Sequence, residues 1–321
     1  TPNFAAFNPS NVRPTVFAVL GEGLGGGWVR VFDFGAGNER FRFRPFGDFT
    51  GGIRTASADV SGDGIPDIIT GTGIGGGPVV KVFDGATFAQ ISSFYAYEPS
   101  FRGGVTVTAG DITGTGVASI ITGSGFGGGP VVRVFDALGN VQRSFFAYDQ
   151  SQRGGVNVGV GNLNPTGPAS IITGAGRGGA PHVKTFDGRT GAQVLSFFAY
   201  DTSFSGGVYV TGGRLSGAGS GVILTATGDG GGPLLRSFDG VTGALRNSFS
   251  AFGPDAYGRT LREGFTVNLS HIGGADGESR IILGSGPKYG PTVRVLDGDT
   301  LQLLNEFIPY EDGFDGGVFV G

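Results

Sequence analysis

The stretch Gly71-Thr72-Gly73-Ile74-Gly75-Gly76-Gly77-Pro78-Val79-Val80-Lys81-Val82-Phe83-Asp84 sets a glycine-rich turn directly against an alternating strand. Its closing pair occurs as Phe32-Asp33, Phe83-Asp84, Phe135-Asp136, Phe186-Asp187 and Phe238-Asp239, and then as Leu296-Asp297. Successive aspartates stand 51, 52, 51, 52 and 58 residues apart. A unit returning at a period near fifty is a supersecondary module that buries its apolar faces by stacking against copies of itself.

The whole unit is legible from Gly103 to Tyr148. Gly104 to Thr108 reads as a first strand, Ser119 to Thr122 (SIIT) as a second, Val131 to Asp136 as a third and Gln142 to Tyr148 as a fourth. Turn residues separate them: Asp111 to Gly116, the glycine turn Gly123 to Pro130, and Leu138-Gly139-Asn140. Four short strands joined in this way form a meander, the unit of a propeller blade. Helical spacing of apolar residues is missing, so the chain reads as all-β.

The two ends are complementary. The chain enters its first repeat one strand late, at Val16 to Leu20, and Gly317 to Gly321 supplies one strand more than five further repeats need. Pairing these two strands removes the open edge that a linear array would expose. The expectation is a six-bladed β-propeller of four-stranded antiparallel blades, closed by the C-terminal strand completing the N-terminal blade. Residues 1–14 read as an irregular lead-in and residues 15–321 as a single domain. Pro254 to Glu263 accounts for the one longer spacing and is expected to be a surface loop.

Glycine (67) and proline (16) are abundant, but they recur at fixed places among Val, Ile and Phe, which rules against disorder. A net charge of -4 with scattered Lys and Arg argues against nucleic acid as the partner. Without cysteine there is no disulfide, thiolate metal site or thiol nucleophile. No apolar run reaches the length of a membrane span. The chain starts at Thr1 and has no methionine, so it reads as a processed or excised segment, in keeping with part of a larger surface protein.

The glycine turn superficially matches a dinucleotide fingerprint. That fingerprint requires a helix after the turn, whereas Val79 to Val82 alternates as a strand, and six copies exceed the need of one cofactor. Asp59-Val60-Ser61-Gly62-Asp63-Gly64-Ile65-Pro66-Asp67 carries the strongest chemical signal. Side-chain oxygens at Asp59, Ser61, Asp63 and Asp67, with the Ile65 carbonyl, form a donor set suited to one calcium ion; the alternative is a metal-free Asx turn.

This loop, set between two strands and followed by Ile-Ile-Thr-Gly, resembles the FG-GAP (or VCBS) repeat, which builds the propeller of integrin α-subunits and of many bacterial surface proteins. The Gly-Gly-Gly-Pro-x-Val-x-Val-Phe-Asp and Ser-Phe-Phe-Ala-Tyr-Asp segments are similar to the bacterial extracellular branch. The resemblance implies an extracellular or cell-surface protein, an adhesion or binding role, and structural rather than catalytic calcium. The loop departs from the pattern elsewhere: Asp111, Thr113, Thr115 and Ser119 in one repeat, Asn162, Asn164, Thr166 and Ser170 in the next, then Arg214 and His271 at the first-ligand place. One calcium site is therefore expected.

With two histidines in different repeats, His182 and His271, a nucleophile–base–orienter arrangement has little to draw on, and no catalytic residue is assigned. The expected function is non-enzymatic binding of a surface glycan or a protein. Its candidate contacts are the one variable position of the glycine turn (Leu24, Ile74, Phe126, Arg177, Asp229 and Pro287), the lone Trp28, and Arg102 and Arg153 behind repeated Tyr-acid pairs. The rivals are a propeller glycan hydrolase or lyase and a structural unit of a surface layer or filament.

Overall fold

Apolar residues at every second position, bounded by glycine and aspartate turns, form strands throughout a computed structural model that describes residues 17–33, 38–164, 166–215, 219–254, 258, 260–272, 278–311 and 313–321. The proposed lead-in, residues 1–14, lies outside them, as do parts of the long 254–263 connection. Among the described residues the strands form six antiparallel sheets of four, a β-propeller. We number the blades from the N-terminus. Blade 3 is typical, with strands Val105–Gly110, Val131–Phe135 and Val141–Phe146 and a second strand Ser119–Ser124.

Burial follows place in the blade. In the first strand Val105, Val107 and Ala109 are buried and the residues between them line the channel. The second strand is buried from Ile120 to Ser124 because neighbouring blades cover both its faces. The fourth strand alternates exposed and half-buried, as an outer edge must. The fourth strand also ends at Phe146, two residues earlier than its sequence pattern suggests, leaving Ala147 and Tyr148 free to reach the next blade.

The repeated Phe-Asp pair divides two tasks. The phenylalanine packs between blades, as Phe135 does against Phe94 of the blade before, with ring centroids 4.8 Å apart. The aspartate caps the turn to the fourth strand. Asp84 Oδ1 accepts from the amides of Ala86 (3.1 Å) and Thr87 (2.6 Å) and from the Thr87 hydroxyl (2.6 Å). Asp187 does the same with Thr190. The threonine hydroxyl pulls both carboxyls below their ordinary range.

Closure occurs where the sequence places it, two residues further along. Val318–Val320 pairs antiparallel with Phe17–Glu22, in the register Leu20 to Val320, Gly21 to Phe319 and Glu22 to Val318. The remaining strands of blade 1 are Val29–Asp33 and Glu39–Phe43.

Two contacts seal neighbouring blades. The first is steric: the glycine that follows Ile-Ile-Thr lies against the first strand of the next blade. A β-carbon at Gly123 would stand 2.3 Å from the Val156 carbonyl oxygen, and one at Gly174 2.2 Å from that of Val208. The second is a tyrosine bolt. Tyr148 leaves blade 3, donates to the His182 carbonyl (2.9 Å) and meets the Thr173 hydroxyl (3.0 Å), both in blade 4. Tyr97 and Tyr200 repeat this one blade earlier and one later. A cation on the next blade roofs each ring: Arg133 lies 5.2 Å over Tyr97 and donates to the Ala96 carbonyl at 2.8 Å.

The bolt varies from junction to junction: at the first, Phe46 lies beneath Lys81 although Thr70 stays in register with that lysine. Where blade 6 has Leu283 in register with Arg294, in place of threonine, the ring beneath that arginine is Phe252. At the closing junction the match fails. Tyr310 keeps its hydroxyl, but Leu20 stands in register with Arg30, and the buried hydroxyl has no partner among the described residues.

These bonds predict opposite outcomes for one chemical change. Tyr148→Phe should lower unfolding free energy by about 1–2 kcal/mol, the range for a buried bond lost with its partners left unpaired. Tyr310→Phe should be neutral or stabilising. Equal losses in urea denaturation would show that the hydroxyls are not what couples the blades.

Candidate functional site

In a closed meander the turns between second and third strands share one face with the connections from fourth to first strands. Hydrogen bonds tie the two sets together: Gly75 N–H to the Arg102 carbonyl (2.7 Å), Gly127 to Arg153 (2.8 Å) and Gly178 to Ser205 (2.7 Å). The approach is close enough to demand glycine. Gly104 has φ +77°, and a β-carbon on it would lie 2.5 Å from the Gly73 carbonyl carbon of the preceding blade.

This face opens into a cavity of about 350 Å³ over the central channel. The variable position of every glycine turn lines it: Leu24, Ile74, Phe126, Arg177, Asp229 and Pro287. The structure therefore gathers at one mouth six residues that the sequence scatters across about 260 positions.

The mouth has two unlike halves. Blades 1 to 3 contribute Leu24, Ile74 and Phe126, exposed by 63%, 46% and 55%, an unusual density of open apolar side chains. Blades 4 to 6 contribute ion pairs: Arg177 to Asp229 at 3.0 Å and Lys288 to Glu263 at 2.8 Å. Burial pushes the Asp229 carboxyl up, opposed by Arg177 and reinforced by Glu263.

Below the mouth, one residue per blade faces the channel at the same level: Phe319, Arg54, Thr106, Asn157, Tyr209 and Thr266. Three of them donate sideways to the next blade. Thr106 Oγ1 reaches the Val156 carbonyl (2.6 Å), Asn157 Nδ2 that of Val208 (2.8 Å) and Thr266 Oγ1 that of Val318 (2.8 Å). The other three turn toward one another. The Arg54 guanidinium carbon lies 3.5 Å from the centroid of the Phe319 ring, and Tyr209 is 6.4 Å from the same ring. Burial lowers the Arg54 pKa, and the Tyr209 hydroxyl partly offsets it. A second cavity of about 60 Å³ lies beneath this group, so the three side chains plug the channel.

Of the residues proposed from sequence, Phe126, Arg177 and Asp229 meet at the mouth, and Trp28, Arg102 and Arg153 do not line it. Trp28 is half-buried under Arg42 (5.3 Å) and Arg44 (4.8 Å). Arg102 folds back onto the carbonyls of Pro99 (2.5 Å) and Phe101 (3.0 Å), bracing its own loop, and Arg153 does the same on Gln150 and Gln152. The tyrosines of the Tyr-acid pairs are inter-blade bolts, while Asp149 and Asp201 cap turns through Ser151 and Ser203. His182 packs between Phe198 (4.8 Å) and Tyr148 (5.4 Å), with Nε2 2.7 Å from Ser196 Oγ. Arg54, Glu263 and Lys288 are missed by sequence. Arg54 is the one charged residue at a channel position otherwise held by Thr, Asn or an aromatic ring, a contrast that shows only once the blades are aligned in space.

The Asp59–Asp67 loop joins first and second strands and so lies on the opposite face. Its carboxylates are taken up by amides. Asp59 Oδ1 accepts from Gly62 (2.6 Å) and Asp63 (3.2 Å), and Oδ2 from Gly64 (2.8 Å). Asp67 is buried and accepts from Val60 (2.9 Å), Ser61 (2.8 Å) and Gly85 (3.0 Å). Asp63 turns to the Ile65 amide (2.8 Å). Among the described residues no three acidic, histidine or cysteine side chains gather around a point. The Asp111 loop, which has a single carboxylate, closes with the same amide bonds from Gly114 (2.7 Å), Thr115 (3.2 Å) and Gly116 (2.7 Å). In this arrangement the carboxylates of the Asp59, Ser61, Asp63, Ile65 and Asp67 set each accept amide hydrogen bonds, and these close the loop.

The loop chemistry predicts that melting curves with calcium and with chelator superimpose. A resident ion at a hundredfold its dissociation constant would separate them by about 2.7 kcal/mol. Asp59→Ala and Asp111→Ala should each cost about 1–2 kcal/mol in both conditions. A chelator-dependent drop that Asp63→Ala removes would assign calcium to the loop instead.

No family model and no curated protein matches the chain. Solved structures do match in shape. A protein of unknown function from Bacteroides caccae superposes with a TM-score of 0.57 at 12% identity, over 95% of this chain and 99% of that one. The Dos1 propeller gives 0.49 at 14% identity, over 93% and 69%, and the WD40 propeller domain of Doa1 gives 0.47 at 14%, over 92% and 80%. At these identities the likeness to the Bacteroides protein is one of fold alone.

Proposed function

We propose that this chain is a non-enzymatic binding module that takes its ligand at the open mouth of the propeller. The observation that carries the reading is the convergence of Leu24, Ile74, Phe126, Arg177, Asp229 and Pro287 on one cavity of about 350 Å³. Each is the free position in a turn whose other residues are held by sterics and hydrogen bonds. Side chains released from the frame and gathered at a concave site are what selective binding needs. The volume suits a small molecule or the end of a chain.

The resemblance to FG-GAP repeats extends this reading to an extracellular or cell-surface setting, with a surface glycan or a protein as ligand. Calcium belongs to the reading only through that resemblance, and the chelator experiment decides it. One observation favours a second reading, a glycan hydrolase or lyase. Asp229 and Glu263 are two carboxylates of one cavity, and Asp229 is raised toward the range of a general acid. Against it, each carboxylate is held in an ion pair with a cation.

Glycan and peptide arrays probed with the labelled chain should yield a ligand. Phe126→Asp should weaken that ligand about tenfold or more while leaving the melting temperature unchanged, since the side chain is exposed. A ligand indifferent to Phe126→Asp and to Arg177→Ala would move the site elsewhere. Turnover of an array glycan that is lost in Asp229→Asn would replace the binding reading with the enzymatic one.

A further inference from the structure

We infer that the floor of the mouth is a carboxylate receptor: Arg54 takes the carboxylate of a ligand whose apolar body lies against Leu24, Ile74 and Phe126. The inference rests on the binding reading above and names the chemistry of its ligand.

Three observations carry it. First, the channel level has a structural rule, and Arg54 breaks it. Thr106, Asn157 and Thr266 each donate to a carbonyl of the next blade and so serve the frame. Arg54 makes no such bond. It reaches across the channel to the face of Phe319, beside Tyr209. A charged residue withdrawn from the frame at a level where the three short polar side chains serve it is free for another use.

Second, the guanidinium lacks a counter-charge. Its Nη1 is buried with no hydrogen-bond partner, and Arg54 forms no ion pair among the described residues. An arginine side chain keeps its charge under all ordinary conditions. A half-buried cation whose buried Nη1 has no partner is costly, and the Phe319 ring offsets only part of that cost. An anion delivered by a ligand supplies the missing charge and acceptors together.

Third, the surroundings select the anion. The fork of one guanidinium matches the two oxygens of a planar carboxylate. Asp229 and Glu263 line the same cavity and oppose a second negative charge on the ligand. The apolar half of the rim requires a body that is apolar where it leaves the carboxylate. The narrow chamber below, about 60 Å³, stops a ligand from passing through the channel. The chemistry is therefore a monocarboxylate with an apolar body. A small free acid and the C-terminus of a polypeptide ending in an apolar residue both meet it.

Isothermal titration of the full chain with two acid–amide pairs tests this. The pairs are 4-phenylbutyrate with 4-phenylbutyramide, and the peptide Ala-Phe-Leu with its C-terminal amide. At least one acid should bind about tenfold or more tightly than its amide, and the preference should vanish in Arg54→Met. The melting temperature of Arg54→Met should hold or rise, because the change removes an unpaired, half-buried charge. Preference for the phenylbutyrate pair assigns a small acid, and preference for the peptide pair assigns a chain terminus. Equal binding of acids and amides by the unaltered chain overturns the receptor, and needs no variant to fold. If that equal binding is still lost in Phe126→Asp, the mouth remains a binding site and only its anion chemistry falls. An acid preference that survives in Arg54→Met also overturns the assignment.

Discussion

Everything in this fold depends on backbone meeting backbone at the hub. At four of the six junctions the first strand of a blade passes so near the second strand of the blade before it that a β-carbon at the contact would collide with a carbonyl oxygen: Gly21 with Ile53, Gly123 with Val156, Gly174 with Val208, Gly284 with Val318. Gly71 and the buried Ala226 hold the same place at the other two. Glycine at these places draws the blades together and closes a narrow ring. Narrowness in turn brings the six channel-facing side chains within reach of one another. A wider hub would leave a pore; this one is plugged by three side chains. The mouth above the plug is concave for the same reason, since the turns that surround it are held inward by glycine contacts.

Outward from the hub, the blades are joined by polar bonds inside apolar packing. Each bolting tyrosine crosses to its neighbour and finds a threonine and a carbonyl, under a cation that, at Tyr97 and Tyr200, also binds the carbonyl beside the ring. Tyrosine with threonine and Phe252 with Leu283 are matched solutions of the same junction. At the first junction Phe46 faces Thr70 with no hydroxyl to offer, and at the closing junction, Tyr310 on Leu20, the hydroxyl has no partner among the described residues. Closure there relies on the three-residue strand pairing and on apolar contact through Val318 and Phe307. The frame thus accounts for the periodic residues, and the residues left over concentrate on one face.

Much of the fold was legible because its cause is periodic. The fifty-residue return of Phe-Asp, the alternation of the strands and the complementary ends follow from local geometry, which a sequence displays directly. The six rim residues were also legible, as variation inside a fixed turn. Three things were not. Whether Tyr97, Tyr148 and Tyr200 face solvent or the next blade depends on where the fourth strand ends, and alternation alone overshoots that point by two residues. Whether Asp59, Asp63 and Asp67 converge on a cation or each collect amides depends on side-chain rotamers and on the Gly85 amide, 18 residues beyond Asp67. Arg54 sits in an alternating strand like any other exposed residue. Its burial becomes visible only when Phe319, near the far end of the chain, is brought against it.

The central claim is that frame and rim are separate: glycine contacts and bolts hold the propeller, and the variable residues at the mouth contribute nothing to that. The most direct measurement is the unfolding free energy of a chain in which the exposed rim side chains are replaced together, Leu24→Ser, Ile74→Ser, Phe126→Ser, Arg177→Ser and Asp229→Ser. The account predicts a change within about 1 kcal/mol, as for exposed substitutions that leave no buried group unpaired. It predicts a loss of several kcal/mol for the single change Gly123→Ala, which places a methyl group against the Val156 carbonyl. A rim variant that unfolds as readily as Gly123→Ala would contradict it, because the mouth would then be part of what holds the blades together.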